Sequence, residues 1–338
     1  MSLTRKERMR RAINHESVDR IPTQINYTAD MGRNMAAYFD VQVSDLPQFL
    51  GNHMIRVDLN VPQTFNEDGT VKFDWWGVGF DTREEGYFAA MSPLKENKDL
   101  DSFPWPDPLD SQLLAVAEET IKAYKDEYFI TPNFGFVLFE RAWTLRGFEE
   151  FFIDMAVDPA YTDALLDHIT EIQLNLINRF LELGVDGAYF GDDYGAQNNL
   201  LFSPRMWRKY IKPRLAVLFA PFRERDLPVI MHSDGQIQKI LPDLVEIGLT
   251  VLNPVQPEAL DHDWLYQNFA GDIAFYGGIS TQTVLPYGSP EDVRVAVSGC
   301  RAKLSPTETA LILAPSHRMM TDIPMANVSA LLEAFKFL

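Results

Sequence analysis

The sequence is poor in cysteine and in positive charge. Its only cysteine, Cys300, excludes an intrachain disulfide and a cysteine-rich zinc site, so any metal must rely on His, Asp or Glu. Acidic side chains outnumber basic ones by 48 to 30, and the net charge of −18 opposes non-specific binding to nucleic acid or to an anionic membrane. The same charge weakly disfavours a strongly polyanionic substrate.

Long apolar runs and a secretion signal are also missing. No apolar run approaches the ~20 residues that span a bilayer, and the basic N-terminus lacks the apolar region of a secretory signal. We therefore expect a cytoplasmic protein with neither membrane nor nucleic-acid partners.

Strands and helices are predicted to alternate regularly along the chain. Eight strands with helices between them predict an α/β fold of the (β/α)8 (TIM) barrel type, formed by a single domain over residues 1–338. A doubly wound open sheet is the alternative, but no Gly-x-Gly-x-x-Gly follows any of the strands. The predicted strands are 21–26, 54–59, 128–134, 187–191, 228–231, 250–253, 273–277 and 310–314.

One inserted feature departs from this alternation. Glu67-Asp68-Gly69 is a hairpin-turn signature, and it predicts an inserted β-ribbon near residues 65–87.

The helices are predicted at 4–14, 30–39, 111–126, 147–156, 158–183, 204–225, 237–246, 259–268, 289–303 and 324–336.

A His-Ser-Asp-Gly stretch at 232–235 ends the predicted fifth strand. Ligands are held at the carboxyl ends of strands in α/β folds, so His232 and Asp234 are candidates for binding one metal ion or one substrate. The alternative is that Asp234 caps the next helix and His232 is its hydrogen-bonded neighbour.

A second histidine, His317, follows the predicted last strand. Together, His232, Asp234 and His317 would supply an N/O ligand set that suits Zn²⁺ and leaves a fourth position open for catalysis.

Further polar residues follow other predicted strands. Asp192 and Asp193 are adjacent, so their carboxylates point in different directions and at most one is expected to face the site. The alternative is that both residues cap helices or lie in a loop. The candidates for substrate binding are Tyr194, Glu140, Asn253 and Gln256, which could equally be core, ion-pair or turn residues.

Over nearly its whole length the chain resembles the uroporphyrinogen decarboxylase (URO-D) superfamily. Within that superfamily, its sequence most resembles the cobalamin-dependent methyltransferase-like branch. The likeness is carried by residues 11–22, 191–197, 203–207, 211–213, 232–235 and 314–317, together with Pro324-x-x-Asn327. This resemblance implies a TIM barrel with its site at the carboxyl ends of the strands.

Within this family, the haem-pathway decarboxylase works without a metal and binds a tetrapyrrole through an N-terminal Arg-x-Ala-Gly-Arg-type segment. Here the corresponding residues 26–33 lack one arginine of the pair, and Asp30 would repel substrate carboxylates. Decarboxylation (a lyase activity) is therefore the alternative function.

The methyltransferase branch holds zinc through His, Cys and Cys. Here Asp234 replaces the first Cys and His317 stands at the second position, a harder ligand set that suits polarising an oxygen. The resemblance thus implies transfer of a methyl group from a small O- or N-methyl donor to the cobalt of a separate corrinoid protein, because no Asp-x-His-x-x-Gly cobalamin segment is present. In that scheme Asp193, with Asp192 as the weaker candidate, orients the substrate or transfers a proton.

Two further expectations accompany this scheme. A zinc hydrolase would use the same three ligands and is the second alternative. The resemblance also suggests a homodimer.

Overall fold

The structure is a computed structural model that describes residues 2–83 and 85–336. Met1, Glu84 and residues 337–338 lie outside the described residues, so the predicted single domain and ribbon are described without them. In chain order the described strands are β1 Met54–Val57, β2 Thr64–Phe65, β3 Val71–Phe73, β4 Gly79–Asp81, β5 Ala89–Met91, β6 Phe129–Phe134, β7 Ala188–Gly191, β8 Val229–His232, β9 Val251–Asn253, β10 Ala274–Ile279 and β11 Leu311–Pro315.

Helices connect and cover these strands. They are α1 Arg5–Ile13, α2 Ala29–Phe39, α3 Leu46–Phe49, α4 Ala115–Tyr124, α5 Phe139–Arg146, α6 Phe148–Val157, α7 Pro159–Glu182, α8 Pro204–Tyr210, α9 Lys212–Arg223, α10 Leu241–Glu246, α11 His262–Phe269, α12 Val284–Tyr287, α13 Pro290–Leu304 and α14 Met325–Lys336. Among the described residues, none of these helices combines the length and the apolar character needed to cross a membrane.

The central element is a curled parallel sheet of seven strands, in the order β1-β6-β7-β8-β9-β10-β11. Parallel strands covered by helices are buried on both faces, which explains their nearly continuous apolar sequences. One face encloses an interior cluster that includes Met54, Phe129, Ile230 and Val251, while the opposite face packs against the helices.

The segment predicted as the first strand, 21–26, is not a regular strand. It pairs with β11 only through an isolated bridge, in which the Leu313 N–H donates to the Pro22 carbonyl at 2.9 Å. Pro22 has no N–H to offer a ladder. On its other side, the Asn52 side chain bonds both the N–H and the C=O of Ile25, at 2.7 and 2.9 Å. Side chains therefore take the place of strand pairing here. Within residues 2–83 and 85–336, seven strands rather than the expected eight form the sheet.

The predicted ribbon is present and larger than expected. Strands β2 to β5 form an antiparallel sheet of four strands, and the turn between β2 and β3 is held by Asp68, whose carboxylate accepts the Thr70 N–H at 3.0 Å. An ion pair of 2.6 Å joins Asp74, after β3, to the buried Arg141 on α5. The ribbon is thereby attached beside the carboxyl ends of the central strands.

Two predicted helices need correction, and helix α5 was missed. The helix expected at 204–225 is divided into α8 and α9, and Pro213 stands in the first turn of α9, where a missing N–H costs nothing. The helix expected at 237–246 begins only at Leu241. Helix α5 was not predicted, because its N-terminal residue Leu138 offers no side-chain cap.

Candidate metal centre

His232 lies at the end of β8 with its imidazole fixed by a hydrogen-bond network. Its Nδ1 lies 2.6 Å from Asn253 Oδ1, which also accepts the Tyr189 hydroxyl at 2.8 Å. The Asn253 amide group donates to the Tyr276 carbonyl at 2.9 Å, which identifies Oδ1 as the acceptor atom. Nδ1 of His232 therefore carries the proton, and the lone pair of Nε2 is directed to the other side of the ring.

Asp234 and His317 lie on that other side. The candidate ligand atoms of His232, Asp234 and His317 all lie within 4.8 Å of one another. Nε2 of His232 is 3.8 Å from one Asp234 oxygen, and Nε2 of His317 is 3.9 Å from the other. Ligands of a tetrahedral zinc at ~2.1 Å stand about 3.4 Å apart, so these three residues fit such an ion after a small approach.

The Asp234 carboxylate has no capping role. Helix α10 begins six residues beyond Gly235, and the Asp234 carboxylate accepts no hydrogen bond from the described part of the chain. The alternative that Asp234 caps the following helix is therefore excluded. Burial lowers the pKa of His317, which favours the neutral, ligating form of its imidazole.

Two glycines bring the loops after β7 and β8 into backbone contact. A Cβ on Gly195 would lie 2.6 Å from the Asp234 carbonyl oxygen, and Gly235 has a φ of +78°, which side chains rarely tolerate. The Gln236 N–H donates to the Ala196 carbonyl at 2.8 Å across the same contact. This packing holds Asp234 in its position.

Asp192 and Asp193 point to opposite sides, as adjacent residues on extended chain must. Asp193 lies beside the candidate ligands: its Oδ1 accepts the Asp234 N–H at 2.8 Å and is 3.9 Å from His232 Nε2. Burial and the neighbouring Asp234 raise the pKa of Asp193 to about 6.

Asp192 is fully buried and supports α5. It accepts the N–H groups of Phe139 and Glu140 at 2.7 Å each and the Tyr194 hydroxyl at 2.8 Å. Burial raises the pKa of Asp192 to about 7, although these three donors favour its ionised form. Asp192 thus caps a helix that starts 53 residues earlier in the chain.

The candidate substrate-binding residues have different surroundings. Burial and the charges of Asp193 and Asp192 raise the pKa of Glu140 well above its usual value, so Glu140 belongs to the acidic cluster of the centre. Tyr194 is fully buried among aromatic side chains behind Asp192, and Asn253 is buried and orients His232. A cation would relieve the repulsion among these carboxylates.

A cavity of about 290 Å³ opens beside His317 and Asp234. Gln256 lines this cavity and also accepts the Gly235 N–H at 3.1 Å. The remaining lining residues are Thr281, Gln282, Ser316, Arg318, Met320, Asp322 and Ile323.

Comparison with known proteins decides the family. The profile of the family described as uroporphyrinogen decarboxylase (URO-D) matches residues 4–337. The chain belongs to the URO-D family. No curated protein matches the sequence.

Solved structures with a similar fold accompany this assignment to the URO-D family. A methyltransferase from Methanosarcina mazei has a TM-score of 0.74 and 19% identity, with 99% of each chain covered. A B12-independent methionine synthase from Shewanella sp. W3-18-1 has a TM-score of 0.48 and 11% identity, with 94% of each chain covered. The likeness to the M. mazei protein establishes a shared fold.

Proposed function

We propose that this URO-D family member is a zinc-dependent methyltransferase that moves a methyl group from a small O- or N-methyl donor to a separate corrinoid protein. The observation that carries the proposal is the convergence of His232, Asp234 and His317 on one point. Within the described part of the chain, the Asp234 carboxylate accepts no hydrogen bond, while its own N–H donates to Asp193. A zinc ion bound there would supply Lewis acidity toward a donor oxygen or nitrogen.

The chain's own residues would orient the ligands and supply a proton. Asn253 holds the His232 ring so that Nε2 keeps its lone pair toward the centre. Asp193, with a pKa of about 6, is suited to give a proton to the heteroatom that loses its methyl group. We assign Asp192 a positioning role, because the hydrogen bonds that its carboxylate accepts from described residues come from the start of α5 and from Tyr194.

Substrate contacts follow from the same geometry. Gln256 lines the cavity next to His317 and would contact the donor there. Glu140, whose raised pKa favours its neutral form, would become easier to ionise beside a bound cation. The corrinoid would come from a partner protein docking at the carboxyl ends of the strands, in agreement with the lack of a cobalamin-binding segment in this chain.

The tetrapyrrole decarboxylase alternative is less well supported. Its substrate carries many carboxylates, whereas the centre here is surrounded by Glu140, Asp193 and Asp234. The remaining arginine of the N-terminal segment, Arg33, forms an ion pair with Asp30 on the exposed side of α2. Neither feature favours a polyanionic ligand.

The first experiment is elemental analysis of protein purified from zinc-supplemented cells without chelators. We expect about one zinc per chain in the wild type, and loss of that zinc in His232→Ala and in His317→Ala. The matched control is His168→Ala, which removes a histidine that stacks on Trp105 away from the centre and should leave the zinc content unchanged.

The second step separates the enzyme classes. The zinc-loaded protein is mixed with a corrinoid protein and methylated donors, and methyl transfer is followed by the corrinoid absorbance. A wild-type protein without bound metal would overturn the zinc mechanism and make a cofactor-free decarboxylase the favoured function. Metal-dependent hydrolysis without any need for corrinoid would instead support the hydrolase alternative.

A further inference from the structure

Residues 85–88, which precede β5, form a strap at the mouth made by the carboxyl ends of the central strands. The two oxygens of Glu85 bind two different loops. Oε1 accepts the Thr28 hydroxyl, and Oε2 accepts the hydroxyl and the N–H of Thr321 at 2.9 and 3.3 Å. Thr28 caps the start of α2, and Thr321 follows β11. One carboxylate therefore ties the ribbon to both loops.

Tyr87 reaches from one side of the mouth to the other. Its ring meets the ring of Phe136, after β6, edge-on at 5.6 Å. The guanidinium carbon of Arg318, after β11, lies 4.7 Å from the centre of the same ring. Two elements lie between β6 and β11, because β1 pairs with β6 and segment 21–26 forms its bridge with β11. The strap therefore passes across β1 and segment 21–26.

Both ends of the strap adjoin residues of the candidate metal centre. Arg318 directly follows the candidate ligand His317 and lines the cavity beside it. At the other end, the ion pair of Asp74 with Arg141 joins the ribbon to α5, where Arg141 follows Glu140 of the acidic cluster. The strap thus connects the two sides of the mouth that border the centre.

The strap is largely exposed to solvent. Tyr87 and Phe88 are 58% and 55% exposed, and a hydrogen bond of 2.9 Å from the Asp81 N–H to the Phe88 carbonyl joins the strap to β4. Segments that bury little apolar surface open at a small part of the global unfolding free energy. Loss of the Glu85 contacts should therefore release the strap while the central sheet stays folded.

The cavity beside His317 offers a narrow approach to the same centre. Its volume of about 290 Å³ lies at the lower limit of the ~300–1,000 Å³ that is usual for small-molecule sites. A larger molecule needs a wider opening, and release of the strap would provide one.

We propose that the strap is a lid over the mouth with the Glu85 carboxylate as its latch, and that its release opens the route by which molecules larger than the cavity reach the candidate centre. The identity of that centre as a metal site rests on the proposed function. Opening of the strap does not, because it can be measured on protein without metal.

Limited proteolysis measures the opening. Chymotrypsin cleaves after aromatic residues, and Tyr87 and Phe88 both lie in the strap, so cleavage there reports its release. We expect this cleavage to be about 10- to 100-fold faster in Glu85→Ala than in the wild type, because a charged acceptor of hydrogen bonds to two loops is lost. Cleavage after Tyr287, which is 82% exposed on α12, is the internal reference and should stay unchanged.

Two further variants and a control complete the series. Glu85→Gln has one carbonyl oxygen in place of two carboxylate oxygens, so its cleavage rate should lie between those of the wild type and Glu85→Ala. Thr321→Val removes one hydroxyl donor and should produce a smaller increase in the same direction. Glu67→Ala removes an exposed acid from the turn between β2 and β3, and it should behave as the wild type.

Removal of zinc tests the route to the centre. Zinc-loaded protein is mixed with excess EDTA, which must surround the ion to hold it, and the zinc left on the protein is measured over time. A lid changes the rates of entry and exit by the same factor. We therefore expect Glu85→Ala to release zinc about 10- to 100-fold faster, while the zinc Kd changes by less than about threefold.

The outcomes separate this proposal from the proposed function. Equal cleavage after Tyr87 and Phe88 in the wild type and Glu85→Ala would overturn the latch, whether or not zinc is bound. An unchanged rate of zinc release, or a zinc Kd that weakens by the same factor as the release rate rises, would overturn the role of the strap as a lid. Faster cleavage in Glu85→Ala, from a wild-type protein that binds no zinc, would keep the latch and refute the zinc-dependent methyltransferase.

Discussion

Replacement of Asp192 by asparagine is the most informative single change, because it separates support of the fold from chemistry. The buried Asp192 carboxylate accepts two N–H groups from the start of α5 and one hydroxyl group from Tyr194. One oxygen accepts from Phe139 and Tyr194, and the other accepts from Glu140 alone.

The magnitude follows from which donor loses its acceptor. Asp192→Asn keeps the shape, but its amide group has only one oxygen, so at least the Glu140 N–H would face an NH₂ group inside the protein. An unsatisfied buried donor costs about 1–3 kcal/mol, and we expect the free energy of unfolding to fall by about 2–3 kcal/mol. Asp192→Ala leaves all three donors unpaired and should cost about 3–5 kcal/mol.

Urea unfolding followed by circular dichroism measures these differences. Asp193→Asn is the control, since its remaining oxygen can still accept the Asp234 N–H, and we expect a stability change below about 1 kcal/mol. The rate of methyl transfer should show the reverse order. Asp193→Asn should lose more activity than its small change in unfolding free energy explains. An Asp192→Asn variant as stable as the wild type would refute the argument that this carboxylate holds α5.

Three further perturbations test other parts of the structure. Asn253→Ala removes the acceptor that orients His232, so zinc affinity measured by competition with a chelator should fall about 10- to 100-fold. Gly195→Ala would force a Cβ against the Asp234 carbonyl, and it should lower both zinc affinity and thermal stability; an unchanged variant would contradict the close backbone contact. Burial lowers the pKa of His53 from 6.5 to about 3. As the pH falls below about 6.5, His53 therefore becomes protonated in the unfolded chain while it stays neutral in the folded chain. Between about pH 6 and about pH 4, the unfolding free energy of the wild type should therefore fall by roughly 2–3 kcal/mol more than that of His53→Gln.

The fold was predictable where the signals are local. Short apolar segments bounded by turn residues predicted seven strands of the central sheet and the ribbon, because burial on both faces leaves a clear pattern in the sequence. Helix α5 was missed because the carboxylate of its cap, Asp192, is distant in sequence and adjacent only in the folded chain. Segment 21–26 was overpredicted because its apolar pattern does not reveal that Asn52 binds its backbone.

The residues of the candidate site could be proposed from the sequence, but the directions of their side chains could not. Around β7 the side chains alternate, with Tyr189 facing the interior and Phe190 facing the helices. The same period continues past the end of the strand, where Asp193 lies beside the candidate ligands while Asp192 and Tyr194 turn toward the helices. Polar residues after a strand therefore divide into those that face the site and those that support it, and the parity of their positions decides which.

The same period explains both the proposed ligands and the arginine that motif analysis overlooked. On β8 the interior residue Ile230 is followed at intervals of two by His232 and Asp234, and both contribute to the candidate centre. On β1 the interior residue Met54 is followed at the same interval by Arg56, which no motif marks. The period of two thus places acids at the end of β8 and a guanidinium on β1 toward the same interior.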